Sequence, residues 1–238
     1  MTIRRRHLAI LAGLAVSLPA TRSAPATLGG PSRVAFDPAQ VRALAVERAG
    51  RPHRPPRHAL PRQFDALDYD GYRGIRFRGD QALWVDSNLG FRLQPHHRGF
   101  LFKDRVELFE VVDGHATALR YHPSQFTFDA AAPSEEIGDI GFAGFRLLPP
   151  LNRADHFDEL CSFLGASYFR ALGRGHVYGI SARGLAIRTA HPAGEEFPGF
   201  TAFWIERPAP GADRVVVHAL LESASLTGAY RFTIIPGA

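Results

Sequence analysis

The chain has 238 residues, 45% hydrophobic and 21% charged, enough apolar material for one large β domain or two ordinary ones. The formal charge is +5, but residues 1–62 hold 11 Arg against Asp37 and Glu47, whereas the remainder holds 17 basic and 21 acidic residues. A nucleic-acid binder needs positive charge on its folded surface, so this distribution argues against that class, and the single Cys161 excludes an internal disulfide and a Cys-based metal site.

The chain opens as an export signal over residues 1–26. Arg4, Arg5, Arg6 and His7 precede an apolar stretch from Leu8 to Leu18, and Ala24-Pro25-Ala26 fits a small-x-small cleavage site. The apolar stretch is shorter than the roughly 20 residues that span a bilayer. The adjacent arginines suit a twin-arginine signal, and an ordinary secretory signal fits as well. Either places the mature protein outside the cytoplasm, with no transmembrane segment in it.

Residues 27–62 read as a spacer, one short helix and a linker. Asp37 is positioned to cap a helix, Pro38 suits its first turn, Gln40 stands at a capping-box position and Gly50 ends it. Residues 51–62 hold four Pro and four Arg, an extended surface stretch.

From residue 63 to 238 the pattern becomes alternating. Strands are expected at 72–77, 91–94, 106–112, 116–121, 144–148, 168–172, 177–180, 185–189, 200–206, 215–221 and 230–235. Asp113-Gly114 should close a tight hairpin. A short helix is expected over 152–160. Strands at this spacing, separated by Gly, Pro or Asp, predict an all-β sandwich or barrel.

Familiar catalytic signatures are missing: no phosphate-cradling Gly loop with Lys, no His-Glu-x-x-His, no Gly-x-Ser-x-Gly. His96 and His97, as strand neighbours, should point to opposite faces. Cys161 lies in an apolar run and reads as a small buried residue. No catalytic residue, metal or cofactor is assigned. What stands out is a dense mixture of aromatic, Arg, carboxylate and Gly residues between Leu164 and Trp204. Tyr168, Arg170, Tyr178, Ser181, Arg183, Glu195, Glu196 and Trp204 supply stacking surfaces and directional hydrogen bonds of the kind that hold sugars. The same composition also fits core aromatics beneath a charged solvent face. Glu195 and Glu196 are neighbours and cannot flank a glycosidic bond as an acid and base pair must.

Several strings carry a resemblance to a known family. They include Phe64-Asp65-Ala66-Leu67, His97-Arg98-Gly99-Phe100, Asp139-Ile140-Gly141-Phe142-Ala143-Gly144-Phe145 and Phe163-Leu164-Gly165-Ala166-Ser167-Tyr168-Phe169-Arg170. The last continues through Gly175-His176-Val177-Tyr178-Gly179-Ile180-Ser181-Ala182-Arg183, Gly194-Glu195-Glu196-Phe197-Pro198 and Phe203-Trp204-Ile205-Glu206-Arg207-Pro208. From about residue 36 onward the chain resembles the periplasmic glucan biosynthesis G/D family, and its leader resembles the D branch.

The resemblance implies a large β-sandwich of the galactose-mutarotase-like type whose cleft holds glucan. It implies a periplasmic role in making osmoregulated glucans with a β-1,2 backbone and β-1,6 branches, with β-glucan and a membrane glucan synthase as partners. Some relatives look like inverting β-1,2-glucanases. The sequence stops at Ala238, where relatives continue through the sandwich and an immunoglobulin-like domain, so the family's catalytic carboxylates map to no residue here. The resemblance is therefore to the N-terminal part of an apparently truncated sandwich. The alternatives are a non-catalytic glucan-binding scaffold and an inactive truncated gene product. Pro95 is a local departure from the family pattern.

Overall fold

A computed structural model describes residues 32–55, 59–130, 137–165, 167–173, 176, 177, 179 and 181–237. The Asp113-Gly114 turn forms as expected. Both residues take positive φ (48° and 68°), and β4 (Glu107–Val112) runs directly into β5 (His115–Ala118) with Val112 opposite His115. The parallel partner of β4 is β11 (Gly199–Glu206), followed antiparallel by β12 (Val215–Glu222) and β13 (Thr227–Ile234). With β1 (Arg33–Ala35) on the far edge, these strands make a six-stranded sheet in the order β1-β5-β4-β11-β12-β13.

A five-stranded antiparallel sheet lies against it in the order β10-β9-β8-β7-β3. Its strands are β3 (Arg92–His96), β7 (Gly144–Leu148), β8 (Cys161–Leu164), β9 (Tyr168–Ala171) and β10 (Ala182–Arg183). Pro95 is accommodated because β3 is an edge strand, where a missing N–H costs no ladder bond. The core forms where the sheets meet: Phe203 of β11 packs on Phe145 and Phe163, with ring centroids 5.0 and 5.2 Å apart. A small pair, β2 (Ile75–Phe77) and β6 (Phe126–Phe128), closes one end. The result is the mostly β sandwich that the spacing predicts.

Helix α1 (Pro38–Ala49) forms where its punctuation places it. The Asp37 carboxylate accepts the Ala39 N–H at 2.8 Å, although Gly50 ends the helix in a right-handed conformation. Leu44 and Ala45 cover Ala202, Leu220, Phe109 and Trp204 on the outer face of the six-stranded sheet. Residues read as spacer and helix thus belong to the folded unit, since β1 pairs with β5 and α1 packs on the sheet.

Other expectations are corrected. Residues 152–160 form no helix; Arg153 and His156 bridge across a tight turn, and the chain then runs extended into β8. The strand expected at 72–77 begins only at Ile75, because Tyr69–Arg73 form helix α2, capped by the Asp68 carboxylate. Residues 185–189 contribute one bridge, Ile187 to Glu196, rather than a strand. Val177 and Gly179 are not in a strand, and Tyr178 and Ile180 lie outside the described residues. Strands β1, β6, β8 and β10 were not expected. The export signal also lies outside the described residues. No helix among the described residues is long and apolar enough to cross a membrane.

Candidate functional site

Strand alternation divides the five-stranded sheet. Leu93, Phe145, Leu147, Cys161, Phe163 and Phe169 turn into the core. The opposite face therefore carries Gln94, His96, Arg146, Ser162, Tyr168 and Arg170. Register aligns Gln94 with Arg146, Arg146 with Ser162 and Ser162 with Arg170, a polar row across four strands.

Hydrogen bonds fix that row. The Gln94 side-chain oxygen accepts from Arg146 Nε at 3.0 Å and from a terminal nitrogen at 2.7 Å, while the Glu159 carboxylate takes another Arg146 N–H at 3.1 Å. Arg170 Nε donates to Ser181 Oγ at 3.2 Å. His96 Nε2 lies 2.8 Å from Ser162 Oγ. That is the spacing of a Ser–His pair, but burial, reinforced by Arg146, holds the imidazole down at about 3, a weak base. A base this weak is a poor activator of a serine hydroxyl, and the pair stands beside Arg146 in the polar row.

Two recesses open on this face. One, of about 420 Å³, is lined by Ser162, Glu159, Tyr168, Arg170, Ser181 and Phe102. The other, of about 320 Å³, is lined by Tyr69, Tyr72, Phe100, Phe102, His96 and Arg146. They share Phe102 and Leu164. Tyr72 is fixed by its hydroxyl donating to the His97 carbonyl at 3.0 Å, and Tyr69 is exposed.

The structure brings Tyr168, Arg170 and Ser181 into one recess. Arg183, in register with Tyr168, lies over the Tyr168 ring at 5.0 Å and the Phe197 ring at 5.2 Å and is ion-paired with Glu195. Arg183 and Glu195 thus prop Tyr168 from behind. Glu196 does something else. It accepts the Ser225 N–H at 2.9 Å and the Ser225 hydroxyl, and pairs with Arg188 at 3.2 Å, tying its loop to the turn before β13. The Ser223 hydroxyl, with these Ser225 bonds and Arg188, holds its carboxyl down at about 2.

Trp204 is not on this face. Its ring stacks with Phe109 (5.3 Å) and Phe36 (5.9 Å) on the outer side of the other sheet, away from Tyr168 and Arg170. Tyr178 lies outside the described residues. His96 and His97 do point oppositely: His97 is buried against Phe64, Phe126 and Tyr121. Cys161 is buried, its thiol pushed up to about 12, and is no nucleophile. Among the described residues no three His, Cys, Asp or Glu side chains are placed to hold a metal.

Sequence reading missed Gln94, His96, Arg146, Ser162 and the Tyr69–Phe102 aromatics. The signal for the first four was a polar residue at alternate positions of apolar strands; their meeting depends on register, which no strand carries alone.

Residues 36–238 match the family model for periplasmic glucan biosynthesis protein, MdoG. A glucans biosynthesis protein G of Rhodopseudomonas palustris is 52% identical over 229 residues, covering 96% of this chain and 46% of the relative. Proteins of the same name from Bradyrhizobium diazoefficiens and Vibrio cholerae are 46% and 49% identical, covering 99% and 85% of this chain and 46% and 37% of those relatives. The chain thus spans less than half the length of these relatives. At this extent of match, the chain belongs to the MdoG family of periplasmic glucan biosynthesis proteins.

Proposed function

We propose that this chain is the glucan-binding part of a periplasmic protein of osmoregulated glucan synthesis, and that it holds a β-1,2-glucan backbone on the outer face of the five-stranded sheet. The observation that carries this reading is the row Gln94, Arg146, Ser162 and Arg170 between the aromatic recess of Tyr69 and Phe100 and the recess of Tyr168. Arg groups already oriented by Gln94, Glu159 and Ser181 present their remaining N–H donors in fixed directions, which suits sugar hydroxyls. Aromatic rings beside them offer apolar surface to a pyranose face.

These residues support binding rather than cleavage. Among the described residues Glu159 is the one carboxylate lining either recess, and it is engaged by Arg146. Hydrolysis needs two carboxyls on opposite sides of the bond. The family name supports the periplasm as the place of action. The partner that would supply the polymer is a membrane glucan synthase.

Calorimetric titration with linear β-1,2-glucan tests the reading. Binding should occur without chain shortening, and Arg170→Ala should weaken it by about tenfold, the loss of one charge-assisted hydrogen bond. Unchanged affinity in Arg170→Ala, or release of shortened glucan by the unmodified chain, would overturn it.

A further inference from the structure

A recess larger than either of those on the proposed glucan face lies away from it. It is a groove of about 730 Å³ on the outer side of the six-stranded sheet, between the end of α1 with residues 51–54 and strands β11 and β12. That volume falls within the range of ligand sites, roughly 300–1,000 Å³. Leu44, Ala202 and Leu220 give it an apolar floor. Its rim carries Arg48, Arg51, Arg54 and Arg105 against two carboxylates, Glu107 and Glu222.

The pairing of these charges decides what the groove can take. Arg51 is bound to Glu47 at 2.8 Å, and Arg105 to Glu107 at 2.6 Å and to Asp139 at 3.2 Å. Glu222 accepts from the Thr201 hydroxyl at 2.7 Å. Among the described residues the side chains of Arg48 and Arg54 have no acceptor, and neither has the indole N–H of Trp204. Three donors, two of them cationic, therefore line one groove with no anion of the chain to meet them. Beside them Glu222, Glu107 and Thr201 offer acceptors. A small inorganic anion would use the cations and leave the long floor and the acceptors idle. An oligosaccharide bearing carboxylate or other anionic groups would use all of them.

We propose that this groove is a second binding site, for an anionic oligosaccharide, with Arg48 and Arg54 meeting its charges and Glu222 and Thr201 its hydroxyls. It is independent of the glucan face, since the two lie on opposite outer sides of the sandwich.

The test uses the whole chain and a tetramer of galacturonic acid as probe, followed by calorimetry at low and high salt. Binding should be at least tenfold tighter than for a neutral tetramer of glucose, and should weaken as salt rises. Arg48→Gln with Arg54→Gln should lower affinity about tenfold at an unchanged melting temperature, while Arg170→Ala should leave it unaltered. Equal binding of the neutral tetramer, or no loss in the double variant, overturns the site. Inorganic phosphate binding as tightly as the acidic tetramer overturns the saccharide assignment, as does tighter binding of a tetraglutamate peptide. Because Arg170→Ala is followed in parallel, failure here and failure of the glucan face are told apart.

Discussion

Phe169 stacks on Phe163 with ring centroids 5.3 Å apart, and that contact turns its neighbour Tyr168 to the opposite face of the sheet. Phe169 also meets Phe232 of β13 at 5.7 Å. The two adjacent aromatics should therefore fail differently. Phe169→Ala, at a half-buried position, should cost about 2–4 kcal/mol of stability. Tyr168→Ala should leave stability nearly unchanged and cost about 1–3 kcal/mol of glucan affinity, by analogy with base stacking. Thermal melts and glucan titrations of both variants check this; the reverse pattern would mean the face is misassigned.

Gly144 is required by close approach. It has φ +144°, and a Cβ there would run into the Phe163 carbonyl oxygen of β8, a backbone atom that cannot rotate away. Gly144→Ala should destabilise the chain by about 3 kcal/mol or more. Denaturant unfolding reads this directly; a loss below 1 kcal/mol would show, on the same scale, that β7 and β8 can separate without penalty.

Arg98 is 2% exposed and is held by carbonyls rather than by a carboxylate. Its guanidinium donates to Ile140 O at 2.5 Å, to Lys103 O at 2.9 Å and to Ala59 O at 3.5 Å, joining three separate loops. Arg98→Met keeps much of the volume but strands those carbonyls, and should cost about 3–5 kcal/mol. Arg98→Lys should recover part of this, since one ammonium cannot reach all three loops. If the Met variant melts with the unmodified chain, the loops are held by something else.

These residues show what the sequence disclosed. The hairpin at Asp113-Gly114 was legible because positive φ is a local demand with few solutions. The facing of Tyr168 and Phe169 was legible because alternation is local too. Trp204 was misplaced because alternation says that two residues lie on opposite faces, not which layer of the sandwich a strand joins. Residues 152–160 were expected to form a short helix, but they lack an apolar stripe to bury and run through a turn into β8. The polar row failed for a third reason: Gln94 and Arg170 lie 76 positions apart, and only the register of β3, β7, β8 and β9 joins them.

The histidines should make the fold acid-sensitive. His97 sits among Phe64, Phe126, Phe128 and Tyr121; its Nδ1 donates to the Arg98 carbonyl at 2.6 Å and its Nε2 accepts from the Tyr121 hydroxyl at 3.0 Å. Burial lowers its pKa from 6.5 to about 4, and that of His96 to about 3. The unfolded chain takes up both protons near pH 6.5, while the fold holds both rings neutral until pH 4 or below. Stability from these groups is therefore complete above pH 6.5 and falls as pH drops from there toward 4. Each histidine contributes a slope of up to about 1.4 kcal/mol per pH unit in that window. His97→Gln, which can still donate and accept, should be less stable at neutral pH and lose less stability on acidification. Urea unfolding at about pH 7 and about pH 5 measures both slopes. Parallel loss in the two proteins would show that His97 is protonated inside the fold and that its aromatic cage is open to water.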